Sequence, residues 1–127
     1  MVPVTGFFAA VLALFFITLS VYVIRRRYTH RLALGDGGDA DMNRRIRAHA
    51  NFAEYVPLAL ILMGVNELNG VSPFFLKAMG TVLLMGRISH AYSLTRHETK
   101  HGKILFRQLG MGCSFTVIIC LALAALL

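Results

Sequence analysis

Charge is scarce in this chain: 15% of its 127 residues are Asp, Glu, Lys or Arg, against about 25% in an ordinary soluble domain. With 57% hydrophobic residues and a mean hydropathy of +0.65, there is too little polar surface to solvate an independent globule. Length excludes a two-domain enzyme on the usual scale of about 100–200 residues per domain. Acids are scarcer still, 6 against 13 Lys and Arg, for a net charge of +7. A basic excess can indicate nucleic acid, but here the charges fall in a few clusters between apolar blocks, as membrane-flanking residues do. Cysteine is confined to Cys113 and Cys120. Seven residues apart on one helix, these lie two turns apart and cannot bridge, so no disulfide framework exists. No useful internal repeat is visible.

What is present is four apolar blocks. A spanning helix needs about 20 apolar residues to cross roughly 30 Å of hydrocarbon. Val4 to Ile24 carries no charge and is long for a signal peptide, so it is expected to be a retained helix. The second block runs from about Ile46 to Val65, the third from about Pro73 to Leu94 and the fourth from Ile104 to Leu127. The predicted architecture is all-α, an integral membrane four-helix bundle forming one domain, with helices over about 3–30, 42–68, 73–95 and 102–127. Short connections make sequential helices antiparallel neighbours. The first holds Gly35-Asp36-Gly37-Gly38-Asp39, suited to tight turns. The second, Asn66 to Ser72, precedes a helix-starting proline, Pro73. The third, about Thr95 to Lys103, is polar.

Twelve of the 13 basic residues sit toward the first and third connections, and Lys77 alone toward the other end. The positive-inside rule then predicts cytoplasmic first and third loops, with both termini on the far side.

Ionisable groups at membrane depth cost about 2.5–3.5 kcal/mol each on insertion scales, so they are paired, turned inward or functional. The second helix carries Arg44, Arg47, Asn51 and Glu54; at about 100° per residue these share a sector of roughly 80°, a single polar stripe. The third helix answers with Arg87 and His90 at similar depth. Several cations sharing one carboxylate suggest a pocket for an anionic ligand. The plain alternative is mutual neutralisation of Arg47, Glu54 and Arg87, with Asn51 bonding across helices to fix the bundle. Tyr55 is expected to point away from the Arg47–Glu54 face, and Pro57 to kink the helix. His97 and His101 are four residues apart but lack a carboxylate or cysteine partner, so no metal site is expected. Gly110 and Ser114 have small-xxx-small spacing, offering a close-packing surface for an oligomer.

The string Arg47-Ala48-His49-Ala50-Asn51-Phe52-Ala53-Glu54-Tyr55-Val56-Pro57 resembles the Arg-Ala-x-x-Asn-x-x-Glu-Tyr-x-Pro signature of the MAPEG superfamily, membrane-associated proteins of eicosanoid and glutathione metabolism. Gly35-Asp36-Gly37-Gly38 and Gly86-Arg87-Ile88-Ser89-His90-Ala91 are similar to its bacterial branch. The resemblance implies a homotrimer in a bacterial inner membrane, with three sites at subunit interfaces, binding glutathione as co-substrate without a metal. It implies a detoxifying transferase or peroxidase acting on lipophilic electrophiles or hydroperoxides. Position by position, Arg47, Asn51, Glu54 and Arg87 become glutathione contacts. His90 stands where relatives often have a tyrosine, and Arg26 or Arg27 matches a basic residue supplied by a neighbouring subunit. An arginine near the start of the fourth helix holds the thiolate in relatives; here Arg107 and Lys103 are the candidates, followed by Arg96 and His101.

Charge chemistry agrees with this reading, since glutathione carries two carboxylates and one ammonium. A lipid-binding or scaffold protein on the same fold is the alternative. A small multidrug transporter fits worse, because the first helix has no acid and cations surround Glu54.

Overall fold

A computed structural model describes residues 1–95 and 100–127, without the side chains at 95 and 100–103. Four helices follow one another: α1 (Pro3–His30), α2 (Ala40–Leu68), α3 (Pro73–Thr95) and α4 (Lys100–Leu126). Three of them, α1, α2 and the Ile104–Leu126 part of α4, are long and apolar enough to cross a membrane by themselves. The expectation of four such spans needs refinement. At 23 residues α3 is long enough for the same thickness, but it carries Lys77, Arg87 and His90 and is not one of those three.

Each helix contributes one inward stripe. Val4, Phe8, Leu12 and Leu19 of α1 meet Phe52, Val56, Ala59 and Met63 of α2, Leu76 and Leu83 of α3, and Val117 and Leu121 of α4 in one core cluster. These spacings of three, four and seven are the helical period. On α3 the inward stripe runs Leu76, Gly80, Leu83, Arg87, so a guanidinium occupies a core position. On α4 it runs Gly110, Ser114, Val117, Leu121. All eight of these residues are buried.

The closest approach lies between α3 and α4. A Cβ on Gly110 would stand 2.6 Å from the Gly86 carbonyl oxygen and 2.7 Å from the His90 Cβ; one on Gly86 would stand 2.6 Å from the Cys113 Cβ. The small residues Gly110 and Ser114 thus serve packing inside the subunit, not the outward surface expected of them. Ser114 Oγ donates to the Gly110 carbonyl at 3.1 Å.

Helix α1 is latched to α2 at both ends. At the basic end, Arg26 binds the Asp39 carboxylate at 2.9 Å and Asp41 at 3.4 Å. Asp39 is also the N-cap of α2, accepting from the Asp41 amide at 3.0 Å, which starts that helix at Ala40, earlier than expected. At the far end, Glu67 accepts from the amides of Val4 and Thr5 at 2.8 and 2.7 Å, placing a carboxylate on the positive end of α1. Helix α2 ends at Leu68, where its expected span also ends. Between the latches, Ser20 Oγ meets His49 Nε2 at 2.9 Å, and the His49 ring stacks on Phe16. Arg45 donates to the Tyr22 carbonyl at 3.0 Å and lies over the Tyr22 ring. Helix α2 continues through Pro57, beside which a groove of about 250 Å³ opens toward α1.

Two outcomes follow. Gly110→Ala should lower stability by about 1–3 kcal/mol through overpacking, whereas Gly112→Ala, with nothing within 4 Å of its added Cβ, should not. Thermal unfolding in detergent micelles measures both. The Arg26 hydrogen bond holds the Asp39 carboxyl below its ordinary 3.8, and the Gly38 amide does the same for Asp36. Their stabilisation is therefore complete above that value and is lost as pH falls through the lowered folded values. Hydrogen exchange of residues 31–39 should show the loop opening in acid, with a smaller pH response in Asp39→Asn.

Candidate functional site

Arg87 is 2% exposed and joins three helices. Its Nη1 donates to Asn51 Oδ1 on α2 at 2.8 Å, and its Nη2 to the Gly110 carbonyl on α4 at 3.0 Å, with the Met111 sulfur at 4.0 Å. The carbonyl is within reach because Gly110 has no side chain to hold the helices apart. Its Nε is buried without a hydrogen bond. Among the described residues no carboxylate pairs with this guanidinium, which is held by neutral oxygens. Part of the plain structural reading is thus present: Asn51 does bond across helices.

Tyr55 departs from expectation. Lying one turn beyond Asn51, it turns toward α4, with its ring 6.0 Å from the Arg87 guanidinium carbon and edge-on to Phe115. Residues 51 and 55 are separated by about 40° around the helix axis, so the stripe that carries Asn51 also brings Tyr55 to the cation.

His90 is 4% exposed and stands one turn on from Arg87. Its Cβ lies against Gly110 of α4, and Arg47 and Arg107 stand one turn before Asn51 and Gly110, the two ligands of Arg87. The fold therefore gathers Arg47, Asn51, Arg87, His90 and Arg107 at the basic end of the bundle. Arg47 and Arg107 are exposed in the single subunit. Ser89 Oγ, donating to the Phe106 carbonyl at 3.0 Å, fixes α4 beside this stretch of α3.

Glu54 lies on the outward stripe of α2 with Arg47, Leu58, Ile61 and Val65, all exposed, and has no recorded ion pair among the described residues. Arg44 and Arg45 bind Asp41 instead, at 3.4 and 2.9 Å. Arg26 is engaged by Asp39 and Asp41, and Arg27 donates to the Ala33 carbonyl at 3.3 Å. The Lys103 side chain, Arg96 and the His101 side chain lie outside the described residues, as does the His97–His101 pair. Among the described residues no group of three His, Cys, Asp or Glu is placed to hold a metal. The grooves between α1 and α3 and between α1 and α2 do not include the cation cluster.

Sequence reasoning did not find Gly86, Gly110 as an Arg87 partner, or Tyr55. The signal for Gly110 was its place on the inward stripe of α4, four residues before Ser114. Removing one ligand of a buried charge is costlier than replacing the whole pair by apolar groups. Asn51→Ala should therefore lower stability by about 1.5–3 kcal/mol, the worth of a hydrogen bond to a charged group, and Asn51→Leu with Arg87→Met should recover most of it. Thermal unfolding in micelles again gives the readout.

A family model of the MAPEG family matches residues 5–127. The chain is also 34% identical over 123 residues to the inner membrane protein YecN of Escherichia coli strain K12, with 97% of this chain and 90% of that protein covered. The same identity and coverage hold for YecN of Escherichia coli O6:H1. With four helices built around apolar spans and a family match over nearly its full length, this chain is a membrane protein belonging to the MAPEG family.

Proposed function

We propose that this protein is a membrane-bound glutathione transferase or peroxidase whose site is the cation cluster at the basic end. Family membership supports a membrane function related to glutathione. The observation that carries the finer reading is that Arg87 shares one end of the bundle with Arg47, one turn before its ligand Asn51, and with Arg107, one turn before its ligand Gly110. Among the described residues no carboxylate is bonded to them. A tripeptide with two carboxylates supplies the missing negative charge. Arg47 and Arg87 then take those carboxylates, Glu54 the ammonium, and Asn51 the peptide backbone. Of the first-helix arginines, Arg27 suits the contact from a neighbouring subunit better. Arg26 is held by two aspartates, Arg27 by a single 3.3 Å hydrogen bond among the described residues.

Assembly follows the same reasoning. Arg47 and Glu54 are exposed at membrane depth on a stripe that continues as Leu58, Ile61 and Val65, and charges facing lipid are expensive. A neighbouring subunit packed on this stripe removes that exposure and completes the site; three subunits are the assembly the family resemblance implies. The basic end is assigned to the cytoplasm by the positive-inside rule, in the inner membrane of a bacterium.

Chemistry requires the thiolate, because a thiol with pKa about 8.5 is only slightly ionised at neutral pH. A cation near the sulfur lowers that value by one unit per about 1.4 kcal/mol of stabilisation. Arg107 or Lys103 takes this role. In conjugation the sulfur attacks an electrophilic carbon and the leaving group departs with the bonding pair. With a hydroperoxide, sulfur attacks the terminal oxygen, the alkoxide leaves, and a second glutathione converts the sulfenic acid to the disulfide and water.

A binding-only protein on the same fold is favoured by one fact, that Arg87 is already held by Asn51 and Gly110. Purified protein titrated with glutathione should show thiolate absorbance in the ultraviolet and a raised unfolding temperature. Arg47→Ala should weaken binding about tenfold or more, the worth of a charge-assisted hydrogen bond. Absence of a thermal shift at millimolar glutathione overturns the proposal. Binding without turnover of an aryl halide or a lipid hydroperoxide selects the binding-only reading.

A further inference from the structure

Helices α1 and α3 are the loosely joined pair. They come closest where the Phe8 ring covers Gly80, a position at which any added Cβ would run into that ring. On either side the seam opens into a groove, one toward each end of the molecule. The groove at the basic end has a volume of about 550 Å³, with Phe15, Leu19 and Ile88 along its walls and Tyr22, Tyr92 and Arg25 at its mouth. That volume lies within the range of small-molecule sites, about 300–1,000 Å³. The groove at the far end, about 650 Å³, has both Lys77 and Glu67 in a lining of otherwise mostly apolar residues.

The two grooves differ in charge. At the far end an ammonium and a carboxylate share one slot. At the basic end Arg25 brings a guanidinium with no carboxylate in the lining. Its neighbours Arg26 and Arg45 have taken Asp39 and Asp41, and among the described residues no acid pairs with Arg25. Tyr22 and Tyr92 are aromatics of the kind that settle at headgroup level. An apolar slot of acyl-chain character running to an unpaired guanidinium at the membrane interface has the chemistry of an amphiphile with an anionic head.

We propose that the α1–α3 groove at the basic end binds an anionic phospholipid of the adjoining leaflet, one acyl chain lying between Phe15, Leu19 and Ile88 and the phosphate on Arg25. This site is separate from the cation cluster, because Arg87 points to α2 and α4 while Ile88 and Tyr92 face α1, with the body of α3 between them. It does not depend on the glutathione reading. The occupant is a lipid of one leaflet: the far groove, with compensated charge, has no preference for an anionic head.

Native mass spectrometry of the full chain released from nanodiscs tests this. Discs contain phosphatidylglycerol and phosphatidylcholine in equal amounts. Phosphatidylglycerol should be retained preferentially, and Arg25→Gln should reduce that retention at least fivefold while phosphatidylcholine is unchanged. Thr18→Phe, which fills the slot from its α1 wall, should remove the retained lipid without changing the oligomeric mass. The proposal is overturned by equal retention of both lipids, or by unaltered phosphatidylglycerol retention in Arg25→Gln. Loss only in Arg27→Gln or Arg31→Gln also overturns it, by moving the head to the loop groove lined by those two arginines and Tyr28. A changed oligomeric mass in Thr18→Phe with the lipid still present overturns it in favour of a second copy in the groove.

Discussion

A full positive charge sits where the helical period of α3 calls for an apolar side chain, and much of the bundle is arranged around keeping it there. Arg87 follows Leu76, Gly80 and Leu83 on the inward stripe, and its guanidinium reaches one oxygen on α2 and one on α4. Neutral ligands meet the hydrogen-bonding demand of a buried cation without cancelling its charge. This distinguishes Arg87 from Arg26, Arg44 and Arg45 at the α1–α2 end, which are paired with Asp39 and Asp41. Asp39, Asp41 and Glu67 are used to join helices, and among the described residues no acid pairs with the interior cation.

The glycine contact and the cation depend on one another. Gly86 and Gly110 permit α3 and α4 to touch backbone to backbone, and that proximity puts the Gly110 carbonyl in reach of Arg87. A wider helix spacing would leave a buried N–H donor without its acceptor. Close packing of small residues is a general device of membrane helices, here also fixing where the charge is held. His90, buried against Gly110, is kept in the same field of cations by this approach.

Much of the scaffold was legible in the sequence. The uncharged run of α1 read directly as a span, Pro73 marked the start of α3, and the polar stripe of α2 identified Arg47, Asn51 and Glu54. Its angular spread also explains their different fates: Asn51, about 40° nearer the core than Arg47, turns to Arg87, while Arg47 and Glu54 face outward. Tyr55 and Gly110 were not legible in that way. Their roles depend on which neighbouring helix lies beside them, and periodicity on one helix does not contain that information. Glu67 escaped for the same reason, since an acid near a turn reads as solvated until the amides of α1 are found beside it. The Lys103 side chain falls outside the described residues, so the choice between it and Arg107 is unchanged.

The double latch on α1 has a mechanical meaning. Bonded to α2 at the Arg26–Asp39 end and at the Glu67–Val4 end, α1 shares its neighbour's tilt and shift along the bilayer normal. Its seam with α3 is held by the Phe8 ring over Gly80, with open grooves to either side. The first helix is thus carried by the second, and its seam with α3 is the line along which acyl chains meet the bundle.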